Sequence, residues 1–262
     1  MLDRRDGERR FHLDRVPPAD DLLEVVEHLW IVRWDLRGRP PYPQHTLPHP
    51  AVHLAVEAGQ AQIYGVTRGR FTRVLRDAGW AFAVKFTPAG FHQILKGPVS
   101  ALTDRRVAVG TILGGPGREL VRGIRAEPED EGRIELAMAF VRARIGDGDS
   151  RVATVNGVVA RIAAEADLLR AEQVAERTGI ARRTLQRLFQ EYVGVGPKWV
   201  IRRYRLHEAA ERLAAGDSVD LADLALELGY FDQAHLARDF HATTGSTPAE
   251  YARRNATNGA EG

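Results

Sequence analysis

Ala175–Phe189 reads AERTGIARRTLQRLF, and Ala225–Phe240 reads ALELGYFDQAHLARDF. Each stretch has a short amphipathic segment, a glycine (Gly179, Gly229), and a second segment with Leu and Phe on one side (Leu185 and Phe189; Leu236 and Phe240). That spacing predicts a helix-turn-helix, in which a short turn sets two helices at a steep angle and the second can enter a DNA major groove. One such pattern is a modest signal. Two in tandem, joined by a segment of helical length, decide the fold of the second half of the chain.

From Ser150 onward everything reads as helix: Val152–Ala166, Arg170–Thr178, Arg182–Tyr192, Pro197–Ala214, Leu221–Leu228, Asp232–Thr243 and a short piece from Pro248. Gly179, Gly216, Gly229 and Gly245 fall at helix ends, and Pro197 and Pro248 in first turns, where these residues belong. In the first unit Val174, Ala175, Ile180, Leu185, Leu188 and Phe189 take inward positions, leaving Arg182, Arg183, Gln186, Arg187 and Gln190 on the opposite face. Arg and Gln make bidentate contacts to guanine and adenine edges. Thr184, short and near the helix start, suits a phosphate. In the second unit Gln233, Ala234, Ala237, His235, Arg238 and His241 are assigned outward, with Asp232 and Asp239 flanking. The first unit is therefore expected to read bases and the second to position and fit.

A helix from Pro197 to Ala214 is roughly 27 Å long at about 1.5 Å per residue. With the packing at its ends, it brings the two second helices near one DNA turn apart, about 34 Å. Between Arg177 and Arg205 the cations are Arg177, Arg182, Arg183, Arg187, Lys198, Arg202, Arg203 and Arg205, against the single acid Glu191. Lys198, Arg202, Arg203 and Arg205, on the linking helix, are candidates to lie along phosphates, while some of them must pair within the fold.

These residues resemble the AraC/XylS-type transcription regulators over about the last hundred positions. The resemblance rests on GIARRTLQRLFQEYVGVGPKWVIRRYRLHEAAERL followed by VDLADLALELGYFDQAHLARDFHATTGSTPAEYARR. Tyr230 stands where Phe is usual and keeps the aromatic anchor. The resemblance implies a seven-helix domain binding double-stranded promoter DNA, an amino-terminal module that binds a small-molecule effector, dimerises, or both, and RNA polymerase as a further candidate partner. The segment from Trp30 to Phe91 also resembles an uncharacterised module often found upstream of such a domain, through HLWIVRWDL, LPHPAVHLAVE, FTPAGF and LTDRRV.

The first half alternates as strands do. Glu27–Asp35 puts His28, Trp30, Val32 and Trp34 on one face; Ala51–Ala58 and Ala61–Val66 flank Gly59-Gln60 as a hairpin; Arg70–Arg76 follows; Gly79–Thr87 repeats Trp80, Phe82, Val84, Phe86 at period two. Ala89–Lys96, Arg118–Ala126 and Asp130–Ile145 have helical spacing, with a breaker at Gly114–Gly117. The expected fold is α+β: a mixed-sheet or barrel-like domain with helices over 1–146, a linker at 147–150, an all-α DNA-binding domain over 151–255 and a disordered tail over 256–262. The charged first ten residues are also expected to be disordered.

At 262 residues, 44% of them hydrophobic, each of two domains can bury its own core. No apolar run approaches the roughly 18–20 residues that span a bilayer, and the charged start MLDRRDGERR is not a secretory signal, so a cytoplasmic protein without membrane contact is expected. The cysteine count is zero, which removes disulfides, thiolate zinc sites and a cysteine nucleophile or alkyl acceptor. No Ser/His/Asp or His/carboxylate cluster is discernible, so an enzyme fused to a DNA-binding domain is the weaker rival and no cofactor is expected. His45, His49 and His53 are spaced by four, yet Pro48 and Pro50 forbid a helix there. In extended chain neighbours lie about 13 Å apart, so no metal site is expected. Trp30, Trp34, His49, His53, Tyr64, Phe86 and Phe91 are the candidate effector-lining residues, with Phe82 and His92 nearby; at strand spacing the plainer reading for each is core. The candidate dimer surface is Arg118–Ile145. A DNA-binding protein whose first half serves only protein–protein contact is the remaining alternative.

Overall fold

The computed structural model describes residues 7, 9–146, 149–215 and 220–257. Eight strands and a few helices occupy the first half: β1 (Phe11–Val16), β2 (Val26–Asp35), β3 (Tyr42–Thr46), β4 (His53–Glu57), β5 (Ala61–Tyr64), β6 (Phe71–Leu75), β7 (Ala78–Phe86), α1 (His92–Leu95), β8 (Arg106–Ala108), α2 (Val109–Ala126) and α3 (Asp130–Arg142). They form a six-stranded sheet in the order β1-β2-β7-β4-β5-β8 and a two-stranded sheet of β3 and β6. Every pairing among the described strands is antiparallel, where the sequence had suggested a mixed sheet. The alternation in β2, β4 and β7 sorts side chains onto two faces. Leu29, Ile31, Leu54, Val56, Ile63, Phe82, Val84 and Phe86 form a core with Leu113, Leu120 and Ile124 of α2 and Val141 of α3. The register places His28, Trp30, His53, Ala55, Tyr64, Ala81, Ala83 and Lys85 on the other face.

Strands β1, β3 and β8 were not anticipated. β3 runs through Pro43 and pairs only with β6 among the described strands, while β8 is three residues long. The breaker at Gly114 is real, with φ 63° and ψ −144°, but the helix starts before it, at Val109. α1 is shorter than the expected helix, because residues 88–91 form turns before it and Lys96 turns left-handed at its end.

Seven helices follow among the described residues: α4 (Ser150–Ala164), α5 (Ala171–Thr178), α6 (Arg182–Leu188), α7 (Pro197–Ala214), α8 (Leu221–Glu227), α9 (Gln233–Thr244) and α10 (Pro248–Thr257). Their starts are set by side chains. Asp220 accepts from Ala222 and Asp223 N–H, Asp232 from His235 N–H, and Thr247 and Glu250 cap one another. Gly179, at φ 68°, closes α5 in the left-handed region that favours glycine. Beyond α6 the chain widens into a π turn, Phe189–Val193, that buries Phe189, Tyr192 and Val193. The Tyr192 hydroxyl donates to Asp149, the α4 cap, at 2.5 Å. The expected tail begins at 256, yet α10 runs through Thr257; 258–262, residues 1–6 and 8, linker positions 147 and 148, and Gly216 lie outside the described residues.

Helix α7 is the axle of the molecule. Arg205, 2% exposed, donates to the Ile162 and Glu165 carbonyls at the end of α4 and to Glu208. Arg202 pairs with Asp239 of α9, which also accepts from the Tyr230 hydroxyl at 2.7 Å. Arg203, 2% exposed, leaves the helical domain and donates to the Arg68 carbonyl between β5 and β6, with Trp199 under its guanidinium. Arg203 and Arg205 are thus not phosphate contacts. Asp239 is not a surface acid either: it is 8% exposed and neutralised.

The first domain is fastened to both helix-turn-helix units. On the first, Thr103 donates to the Gly194 carbonyl at 2.6 Å, His92 meets Glu191 at 3.2 Å, and Asn156 of α4 bonds Ala89 N–H, Thr87 and the Glu24 carbonyl. On the second, Arg70 donates to the Thr244 carbonyl and lies so close to Gly245 that a Cβ there would fall 1.9 Å from it. Between these points His49 stacks on His207 of α7 with ring centroids 4.0 Å apart. Burial, more than the mutual repulsion, depresses His49 far below its ordinary range. Burial and Arg203 bring His207 to about 4. His53, buried near Lys85, falls to about 3. Glu27, which burial would push up, is held at about 2 by His28 and Lys85.

Two expectations follow from these contacts. Asp239→Ala should cost about 2–4 kcal/mol, less than a fully buried pair because Arg202 is half-exposed, and Tyr230→Phe about 1 kcal/mol; denaturant midpoints measure both, and an Asp239→Ala protein as stable as wild type would refute the anchor. The unfolded histidines titrate near 6.5, so below that pH the unfolded chain binds more protons than the folded one. Stability is therefore full above pH 6.5 and declines as pH falls toward 4. The melting temperature should drop steadily from pH 7 to pH 4.5, and His207→Phe should flatten the slope; a midpoint constant across that range would contradict neutral, buried rings.

Candidate nucleic-acid interface

The turn at Gly179 and the buried Leu185 and Phe189 roll α6 so that its other side faces outward. Arg182, Arg183, Gln186, Arg187 and Gln190 are all exposed and together line one open concavity. Arg182 is held by Glu172 at 2.9 Å. Arg183 and Arg187 have no acidic partner among the described residues. Thr184 is half-buried at the first turn. Arg177, counted in the basic run, instead turns back to Glu165 and Asp167. Lys198 is exposed in the first turn of α7, and Arg202, although paired, keeps about half its surface open.

The second unit is built differently. Gln233, Ala234 and Arg238 are exposed on α9. His235 is half-buried, edge-on to Tyr230 at 5.1 Å. With Asp232 spent on its cap and Asp239 buried, this face carries fewer free acids than the sequence suggested. One residue escaped the sequence reading altogether: Phe231, in the turn before α9, is 86% exposed. The usable signal was that its neighbour Tyr230 fills the inward anchor position.

The candidate effector residues do not converge. Phe86 and Phe91 pack edge-to-face at 5.0 Å inside the first domain's core, with Phe82 also buried there. Trp30, Trp34, His53 and Tyr64 stand on the opposite sheet face, where the Trp30 indole donates to His53 at 3.3 Å and Tyr64 meets Phe71. Three short side chains, Ala55, Ala81 and Ala83, lie between them on that face. His49 stacks against α7, while His45 of β3 bonds Thr72 of β6, so the three histidines of the 45–53 segment take separate places. A second open groove of about 760 Å³ lies between the β4–β5 turn and α2, lined among others by Gln60, Gln62, Arg118, Arg122 and Arg125. On α3, Leu136 is exposed.

Residues 14–108 match a family model described as a domain of unknown function (DUF6597), and residues 174–254 match that of a helix-turn-helix domain. Over 89 residues the chain is 33% identical to a probable transcription factor, PqrA, of Proteus vulgaris, an alignment covering 34% of this chain and 71% of that protein. Over 80 residues it is 32% identical to the HTH-type transcriptional activator AarP of Providencia stuartii, covering 30% of this chain and 58% of the relative. The share of the curated relatives' own length that the chain spans runs from 26% to 71%. Among solved structures, an AraC-type regulator from Chromobacterium violaceum is 25% identical over 40% of this chain and 93% of that one, with a TM-score of 0.37. No helix among the described residues is long and apolar enough to cross a membrane. With tandem helix-turn-helix units hung on one axial helix and regulators as its relatives, the chain belongs to the AraC/XylS-type family of DNA-binding transcription regulators.

Proposed function

We propose that α6 is the principal base reader and that the amino-terminal domain senses a small molecule, mediates dimerisation, or both. The observation that carries the first part is the outward row Arg182, Arg183, Gln186, Arg187 and Gln190, exposed on a helix that the buried Leu185 and Phe189 hold rigid. Arg and Gln at this spacing match guanine and adenine edges. In this reading Thr184, Lys198 and the open half of Arg202 contact phosphates, and Gln233, His235 and Arg238 on α9 set fit and register. The units of the chain are an effector-binding or dimerising domain over 1–146, a linker at 147–150 and a DNA-binding domain over 151–255.

The sensing role is supported by the seam. The first domain touches both helix-turn-helix units and α7, so an effector that binds one arrangement of these parts better than another shifts DNA affinity. The sheet face with Trp30, His53, Tyr64 and Lys85 above short alanines is the proposed effector face, and the α2–α3 side is the proposed dimer surface. The chain works without catalysis in this account, alongside promoter DNA and RNA polymerase in the cytoplasm. If the first domain served protein contact alone, no metabolite would raise its melting temperature; a ligand-induced rise supports sensing.

Arg183→Ala or Arg187→Ala should each weaken operator binding by about 1–3 kcal/mol and relax base preference at one position. Fluorescence anisotropy on the native promoter measures the loss, and wild-type affinity in both variants would remove the assigned reading face. Affinity of the full chain should also fall steeply between about 50 and 200 mM salt.

A further inference from the structure

Among the aromatic residues, Phe231 stands apart. Phe82, Phe86, Phe91, Phe189 and Phe240 are each at most 1% exposed, whereas Phe231 is 86% exposed. It directly precedes Asp232, the α9 cap, whose carboxylate takes the His235 N–H at 2.7 Å. A hydrophobic residue in that place commonly packs against the fourth helical residue as a staple. Here that residue is Leu236, fully buried, and the inward role has gone to Tyr230, which is 7% exposed and bonded to Asp239. Phe231 therefore stays outside the buried cluster of the second unit and keeps most of its surface in water. Its position is the amino-terminal mouth of the second recognition helix, the end that meets base edges when such a helix docks.

We propose that Phe231 is a specificity-determining residue that packs on a thymine C5-methyl group in the major groove of the second half-site. The proposal rests on the reading of α9 as a groove-entering helix. The methyl of thymine is the one apolar group that the major groove offers, and Phe and Ala side chains are suited to it. The surroundings fit that occupant. Ala234 is exposed and small, so the helix can approach closely, and Ala237 stands three residues on, half-buried. Gln233 and Arg238 offer polar contacts on either side, and the nearby acids Asp232 and Asp239 are spent on the cap and on Arg202 and Tyr230. The second unit thus reads shape and methyl groups where the first reads hydrogen-bonding edges.

The test uses the full chain and a duplex recovered by binding-site selection from a random pool. Thymines of the second half-site are replaced one at a time by deoxyuridine, which lacks only the methyl group. Wild type should lose on the order of fivefold in affinity at one such position, about the worth of a buried methyl contact. Phe231→Ser should bind the thymine duplex at least that much more weakly and be indifferent to the replacement, while Phe231→Leu retains part of the sensitivity. Because the side chain is 86% exposed, all variants should melt with wild type. Wild-type indifference to every replacement, with the half-site still protected in a footprint, overturns the role of Phe231 alone. A second half-site that is never protected overturns the groove-entering reading of α9. Unchanged DNA affinity in Phe231→Ser with reduced transcription in a reconstituted system assigns the ring to a protein partner and also overturns the proposal.

Discussion

Three arginines on one helix hold this protein in register. Arg202, Arg203 and Arg205 lie within a single turn of α7, yet each reaches a different body: the second recognition helix, the amino-terminal domain and the end of α4. A guanidinium is expensive to bury, and acceptors for its donors offset that cost. The carbonyls of Ile162, Glu165 and Arg68 and the carboxylates of Glu208 and Asp239 take most of these donors, while Arg203 Nη1 and Arg205 Nε stay buried without an acceptor among the described residues. The planar fork suits these fixed acceptors better than an ammonium would. A helix of 18 residues thereby becomes a ruler with both helix-turn-helix units attached.

That constraint explains why the two readers can differ so much. Once α9 is anchored through Asp239 and Tyr230, the exposed acid left beside its outward face is the capping Asp232, and that face is not required to supply much charge of its own. The basic surface is concentrated on α6, and the second unit is left with Gln233, Ala234, Arg238 and an exposed ring. The amino-terminal domain meets the ruler at Arg203 and His207 and each unit separately at Gly194 and Thr244. In the proposed sensing role, a change in the sheet reaches both readers through the same helix.

Much of the helical half was legible from residue patterns. Pro197 and Ala214 bound α7 as expected, because a first-turn proline and a regular apolar period specify a helix locally. The inward set of α6 was legible for the same reason. What failed was charge. Arg203, Arg205 and Asp239 read as surface residues by type, although Asp239 stands three residues after Leu236, on the buried side of α9; period should have outweighed identity. Strands β1, β3 and β8 are short or interrupted by proline, and their pairing partners lie beyond any single local window, which no local pattern records. The candidate effector residues share ring character in the sequence, and only the register separates Phe86 from Trp30 and His53.

The rigidity of the ruler can be measured directly, because the chain contains no cysteine. Gln190→Cys and His241→Cys place spin labels on exposed positions near the ends of the two recognition helices. Pulsed electron paramagnetic resonance should give one narrow distance distribution in the free protein, and Asp239→Asn in that background should broaden it. A broad distribution in the unaltered axle, or one that ignores Asp239→Asn, would contradict the account.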